Sequence, residues 1–261
     1  MRKLFFSFLL IVPLLLVPFF AQAADPPPDE PIATEETPVV EETPVLVEAS
    51  PTPVETALEQ DLLFSEDFTD NSKKWRVRTT GIESFYLKDG KYHIAQGTTD
   101  KMTDDATACL PDNPIFGDFI LEVEATQIKG PDTNNLGIVF RNSGPGNSYK
   151  FVISPVGSFV VSKGVDNVWF NPIPLARSTA INPGKATNPL KLIAKGNNIS
   201  IFANGVELGT VNDSSHTSGT ICLMAGTWNF NLGNAQRNRE AFAKNPGTEA
   251  VFDNLKIWAT P

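Results

Sequence analysis

The stretch LKLIAKGNNISIFANGVELGTV, Leu190 to Val211, decides the fold. Apolar and polar residues alternate through Leu190–Lys195, again through Asn198–Ala203 and again through Val206–Val211, the period of two that marks a strand with one buried face. Asn204-Gly205 separates the second and third runs, and both residues tolerate the positive φ that a two-residue hairpin turn demands. Lys195-Gly196-Asn197 ends the first run in a similar way. Working outward, the same short Val-, Ile- and Phe-rich runs recur at Leu62–Phe68, Gly90–Ala95, Phe119–Gln127, Leu136–Arg141, Tyr149–Ser154 and Ser158–Lys163. Gly219–Ala225 and Ala250–Trp258 complete the set. Only Asn234–Lys244 reads as helical, inside a polar insertion before the last strand. About eleven strands at regular spacing, with no strand–helix–strand rhythm, predict an all-β, two-sheet antiparallel sandwich over residues 61–261.

The chain upstream is different material. The net charge of −9 over 261 residues belongs to residues 24–60, which hold ten acidic residues, eight prolines and no basic or aromatic residue. Residues 61–261 carry 20 acidic against 19 basic residues, a balance that leaves no electrostatic footprint for nucleic acid. In the acidic segment Glu-Glu-Thr-Pro-Val occurs at 35–39 and 41–45, and Thr52-Pro53-Val54-Glu55-Thr56 echoes it. Proline fixes φ and withholds donors, like charges repel, and little apolar surface is left to offset the entropy of ordering. Residues 24–60 are expected to be a disordered, semi-stiff spacer.

Residues 1–23 have the form of an export signal. Arg2 and Lys3 precede the apolar run Leu4–Phe20, interrupted by Pro13 and Pro18, and Ala21-Gln22-Ala23 fits the small-x-small cleavage rule. The alternative is an uncleaved anchor, for which the run is short. Either way residues beyond it are expected outside the cytoplasm, as a secreted or cell-surface domain with no stable membrane insertion unless the signal is kept. Export also puts Cys109 and Cys222, the chain's two cysteines, in an oxidising compartment where a single intramolecular disulfide is expected. Two separate buried thiols are the alternative.

The ordered series FSEDF, YLKDGKYHI, GDFILEVEAT, GIVFR, YKFVIS, NPLKLIAKGNNISIFANGVEL, SGTICLMAG and VFDNLKIW resembles a concanavalin A-like, laminin-G-type jelly roll. It is similar in particular to secreted bacterial domains related to the 3-keto-disaccharide hydrolase family. The likeness runs from Leu63 to Trp258; residues 229–249 depart from it as a longer loop. It implies a curved sheet pair whose concave side takes ligand, and a glycan or polysaccharide as partner. The resembled pattern usually has Gly where Cys222 stands, which favours a matched cysteine pair. It also suggests one structural calcium ion held by Asp67, in Glu66-Asp67-Phe68, and Asp253, in Phe252-Asp253-Asn254. Two carboxylates would supply only part of the six to eight oxygens calcium takes, and the alternative is that both cap turns.

Catalysis leaves little trace. Sugar cleavage needs two carboxylates across the scissile bond, and Glu122-Val123-Glu124 lacks the third carboxylate of the laminarinase strand motif. It reads better as a solvent-facing row. His93 and His216, the two histidines, have no motif partners. The expected function is a non-catalytic carbohydrate-binding or sensing domain on an acidic spacer. The alternatives are a glycan-processing enzyme with an unmarked active site and a structural module that mediates protein contacts. For the ligand site, Leu136, Ile138 and Phe140 share one side of a strand and leave Gly137, Val139 and Arg141 on the other. Arg141, whose planar fork suits sugar hydroxyls or a uronic carboxylate, is therefore a candidate, with Tyr149 and Lys163 beside it on the next two strands. Trp169 and Trp228, in expected loops, are candidate platforms for a sugar ring. The competing reading has both Trp plugging the ends of the sandwich and Arg141 paired to a carboxylate.

Overall fold

The structure, a computed structural model, describes residues 61–98, 104–227 and 246–261. The signal and spacer readings for 1–23 and 24–60, the helical reading of Asn234–Lys244 and Trp228 lie outside the described residues. Within them the chain forms β1 (Leu62–Glu66), β2 (Arg78–Thr79), β3 (Glu83–Lys88), β4 (Lys91–Gln96), β5 (Asp105–Cys109), β6 (Phe119–Lys129), β7 (Asn135–Gly144) and β8 (Asn147–Ser154). There follow β9 (Ser158–Val165), β10 (Val168–Arg177), β11 (Asn188–Lys195), β12 (Asn198–Ala203), β13 (Val206–Asn212), β14 (Thr220–Gly226) and β15 (Thr248–Trp258). No helix occurs among the described residues.

The strands make two antiparallel sheets. A nine-stranded sheet runs β13-β12-β11-β6-β15-β4-β3-β2, with β1 also paired to β15, and a six-stranded sheet runs β10-β9-β8-β7-β14-β5. The β12–β13 hairpin turns on Asn204 and Gly205, at φ 50° and 78°. All eleven strands read from the alternation are present. The four that were not legible have physical reasons. β2 is two residues long, β3 and β5 lack a long apolar run, and β10 contains Pro172 and Pro174, residues that cannot donate to a ladder and are tolerated at a sheet edge, where β10 lies.

Alternation drives the packing. Tyr149, Phe151 and Ile153 of β8, Phe159 and Val161 of β9, and Ile221, Leu223 and Ala225 of β14 turn inward against Phe85, Tyr92, Ile94, Leu121 and Phe252 of the other sheet, all buried. Each such large apolar side chain contributes about 1.5–3 kcal/mol of transfer free energy. Cys109 and Cys222 face each other in register on β5 and β14 and form the disulfide, closing a 113-residue separation. They lie on the outer face of the six-stranded sheet, beside Val139, Val152, Val160 and Met224.

Two corrections bear on the site. Trp169 stands in strand β10, not in a loop. Arg141 does not stay on the face of Gly137 and Val139: its φ is +46°, and the β7–β14 register shifts between Thr220 and Cys222. A bulge of this kind re-aims one side chain. Here it swings the guanidinium off the outer face and buries it completely, at 0% exposure.

Candidate functional site

Arg141, Tyr149 and Lys163 are indeed brought together, but around an inward-facing polar network. Arg141 donates to the carbonyls of Gly117, His216 and Gly196 and pairs with Asp118 at 3.3 Å. Gly196 is the β11–β12 turn, so the guanidinium ties the two sheets together at one end of the sandwich. The carboxylate partner is the one the competing reading of Arg141 called for. Tyr149, fully buried, donates through its hydroxyl to Asp213 Oδ1 at 2.6 Å, and Lys163 Nζ reaches Asp213 Oδ2 at 2.5 Å. Burial alone would raise the Asp213 carboxyl, but hydrogen bonds from Lys163, Tyr149 and Ser215 outweigh it and hold the group well below the usual carboxylate range. Burial, reinforced by the Asp213 contact, pushes the Tyr149 phenol up to about 12. His216 completes the network, its backbone N–H donating to Tyr149 Oη and its Nε2 to the Gly164 carbonyl. These groups satisfy one another, and the residues expected on a ligand face serve as a pin between strands and loop.

The outer face of the six-stranded sheet has a different constellation, assembled from the alternate positions. Asp105, Asn135, Lys150, Val152, Ser162, Trp169, Asn171 and Met224 line a recess of about 360 Å3. Glycines clear its floor. A Cβ at Gly226 would stand 2.3 Å from Asp105 Oδ1 and 2.6 Å from Asn135 Oδ1, and a Cβ at Gly164 would press at 3.0 Å on the Trp169 ring. Both side-chain groups can lean over the sheet because no side chain rises beneath them.

Lys150 sits at the centre. Its Nζ lies 2.7 Å from Asp105 Oδ2 and 4.5 Å from the centroid of the Trp169 ring. Asp105 is on β5, three strands from β8, and Trp169 is on β10, two strands away in the other direction. On a flat sheet those strands would stand about 14 Å and 10 Å from β8. The Asp105 carboxylate leans over Gly226 of β14 and the Trp169 ring over Gly164 of β9, and the long Lys150 side chain spans what remains of the gap on each side. Ser162 Oγ donates to Asn171 Oδ1 at 2.9 Å beside them. Trp169 remains 44% exposed. The trough thus combines a cleared floor, an indole, one ion pair and small hydroxyl and amide groups, the mixture of apolar body and placed polar atoms that fixes a hydrogen-bonding ligand.

Sequence reasoning found Trp169 but missed Lys150, Asp105, Asn135, Ser162 and Asn171. A signal for Lys150 was present in Tyr149-Lys150-Phe151-Val152-Ile153: three inward apolar residues at alternate positions put Lys150, and not Tyr149, outside. For Asp105 and Asn171 there was no such signal, because β5 and β10 were not legible as strands.

The nine-stranded sheet's outer face carries the remaining candidates. Glu122 and Glu124 flank buried Val123, and Glu122 pairs with Lys191 at 2.9 Å. They line a recess of about 700 Å3 with Lys191, Lys256 and Phe202, bordered by charged groups rather than by an aromatic platform with small polar neighbours. His93 Nδ1 donates to Glu249 Oε1 at 2.9 Å, Tyr86 Oη donates to the same oxygen at 2.5 Å, and Lys129 binds the other. Burial opposes ionisation of Glu249, but bonds from Lys129, Tyr86 and His93 prevail and bring its carboxyl down to about 2. Asp253 is paired with Lys91 at 2.7 Å, and Asp67 accepts from the Thr69 N–H and hydroxyl. An ammonium already on Asp253 and a turn capped by Asp67 fit a divalent cation poorly. Among the described residues no three His, Cys, Asp or Glu side chains converge as a metal-binding group.

No protein-family model matches the sequence, and neither does any curated protein. Solved structures do resemble the fold. A Bacillus subtilis protein of unknown function with a galectin-like fold superposes with a TM-score of 0.54 at 12% identity, covering 76% of this chain and 96% of that one. A Bacillus licheniformis β-glucanase gives 0.53 at 12% identity, covering 77% and 100%. A carbohydrate-binding module from Bacillus subtilis gives 0.50 at 16% identity, covering 69% and 94%. The domain is a concanavalin A-like jelly-roll sandwich.

Proposed function

We propose that this chain is a secreted, non-catalytic glycan-binding domain whose ligand lies in the trough on the outer face of the six-stranded sheet, carried outward by an acidic spacer. The observation that carries the reading is the meeting of Asp105, Lys150 and Trp169 from three non-adjacent strands over a glycine-cleared floor. An indole provides a flat apolar surface for a sugar ring. Asp105, Asn135 and the Ser162 hydroxyl accept from sugar hydroxyls, while Lys150 and the Asn171 amide donate to ring or hydroxyl oxygens. The shared fold with a carbohydrate-binding module supports a glycan-related role, and the disulfide agrees with an oxidising compartment. Against catalysis, Asp105 is the one carboxylate among the described residues lining the trough, and glycoside hydrolysis by the usual routes needs two.

The test is retardation in gels loaded with soluble polysaccharides, followed by titration calorimetry. Trp169→Ala and Asp105→Asn are expected to weaken retention at least tenfold while the circular dichroism spectrum stays unchanged. Full retention by both variants would remove the trough from consideration. Release of reducing ends by the wild type would favour the enzymatic reading.

A further inference from the structure

At the trough's rim, Val168, Trp169 and Phe170 follow one another with exposures of 56%, 44% and 52%. Three consecutive exposed apolar residues are a fault in a soluble domain unless something uses them. They are also held firmly. Asp166 and Asn167, at φ 49° and 65°, turn the β9–β10 hairpin, and Asn167 N–H donates to the Gly146 carbonyl while Asp166 N–H donates to Asn147 Oδ1. The hairpin tip is thereby fastened to the β7–β8 turn, so the patch is presented with little left to order on binding.

Successive residues of a strand face opposite ways. Trp169 lies across Gly164 on the trough side, whereas Phe170 pairs with Lys163 on the other. Lys163 Nζ stands 5.8 Å from the Phe170 centroid and 3.0 Å from Ser215 Oγ. Phe170 therefore adjoins a loop, Asp213-Ser214-Ser215, whose two serines are exposed. An exposed ring beside exposed hydroxyls repeats, round the edge of the sheet, part of the chemistry of the trough. Pairing with another strand is not what this edge is built for, because Pro172 and Pro174 deny it two donors.

Resting on the glycan-binding reading above, we infer that Phe170 and Ser215, the latter held in place by Lys163, form a second sugar subsite continuous with the trough. The ligand is then a polysaccharide chain that crosses the β10 edge, not a free sugar or a chain end. Stacking on Trp169 holds one part of the chain and Phe170 holds a later unit.

The experiment uses the full chain in gels loaded with mixed-linkage β-glucan, galactomannan, κ-carrageenan or mucin, then calorimetry with the retarding polymer and its di- and trisaccharides. Phe170→Ala is expected to weaken the polymer about three- to tenfold and leave the short fragments unchanged, while Trp169→Ala weakens both. Phe170→Ser is run beside it, and both variants are checked for an unaltered melting temperature. Unchanged polymer affinity, or an equal loss for polymer and fragments, overturns the second subsite while leaving the trough reading intact. Retardation of the wild type in none of the four gels overturns both. A wild-type dimer that Phe170→Ala converts to monomer assigns the patch to a second copy of the chain and overturns the subsite.

Discussion

The outer faces of the two sheets are made by the same alternation and differ in how their charges are spent. On the nine-stranded sheet, Glu122 meets Lys191 and Lys91 meets Asp253 across neighbouring or near-neighbouring strands. Such pairs need no particular curvature and are each worth a few tenths to about 1 kcal/mol. On the six-stranded sheet, Lys150 reaches a carboxylate three strands away and an indole two strands away on the other side. Glycines beneath the converging groups open that reach. The difference separates a face of ion pairs between adjacent strands from a recess whose groups come from non-adjacent strands, although the former holds the larger open volume.

The comparison can be broken by variants, beginning with the bridge that joins the edge strand β5 to β14. Cys109→Ala with Cys222→Ala is expected to cost about 4–5 kcal/mol by the chain-entropy model, read from urea unfolding. A far smaller loss would mean that β5, and with it Asp105, is held by its ladder alone. Next is Arg141→Ala, which removes a fully buried guanidinium and its bonds to the carbonyls of Gly117, His216 and Gly196 and is expected to cost about 3 kcal/mol. A variant of normal stability that fails only in glycan retention would return Arg141 to the ligand face.

Glu249→Gln probes the most heavily bonded charge of the nine-stranded sheet, with an expected loss of about 1–2 kcal/mol at neutral pH. Its carboxyl is depressed from 4.5 to about 2 on folding. The stabilisation is therefore complete above 4.5 and is lost as pH falls from 4.5 through 2. Wild-type stability should decline across that window and the variant's should decline less; parallel curves would show that Glu249 does not titrate as its bonds require. Lys150→Met inverts the pattern. Its stability is expected to stay within about 0.5 kcal/mol of wild type, while glycan retention changes, since the bridge between Asp105 and Trp169 is gone. The smallest effect is expected for calcium: with Lys91 on Asp253, the melting temperature in chelator and in millimolar calcium should coincide, and a rise with calcium would restore the Asp67–Asp253 site.

What the sequence determined by itself is the register of alternation. Leu190 to Val211 names three strands and a hairpin because side-chain period, β-branching and turn residues are all local properties of the chain. The disulfide also followed from sequence, since two cysteines leave one intramolecular connectivity. The residues beside Arg141 were legible as neighbours, because consecutive hairpins put β7, β8 and β9 side by side.

Which way those neighbours face was decided elsewhere. A left-handed backbone at Arg141 and the β7–β14 register shift rotate its guanidinium into the sandwich, and the Asp213–His216 loop then captures Tyr149 and Lys163 from within. Positive φ at an arginine is unfavourable on its own, so no local propensity announces it, and only the carbonyls of Gly117, Gly196 and His216 waiting for donors make it worthwhile. The trough arises in the same way. Lys150, Asp105 and Trp169 are far apart in the chain and on strands that do not pair, and their meeting depends on the strand order of the whole sheet and on the glycines beneath them, which no short stretch of sequence encodes.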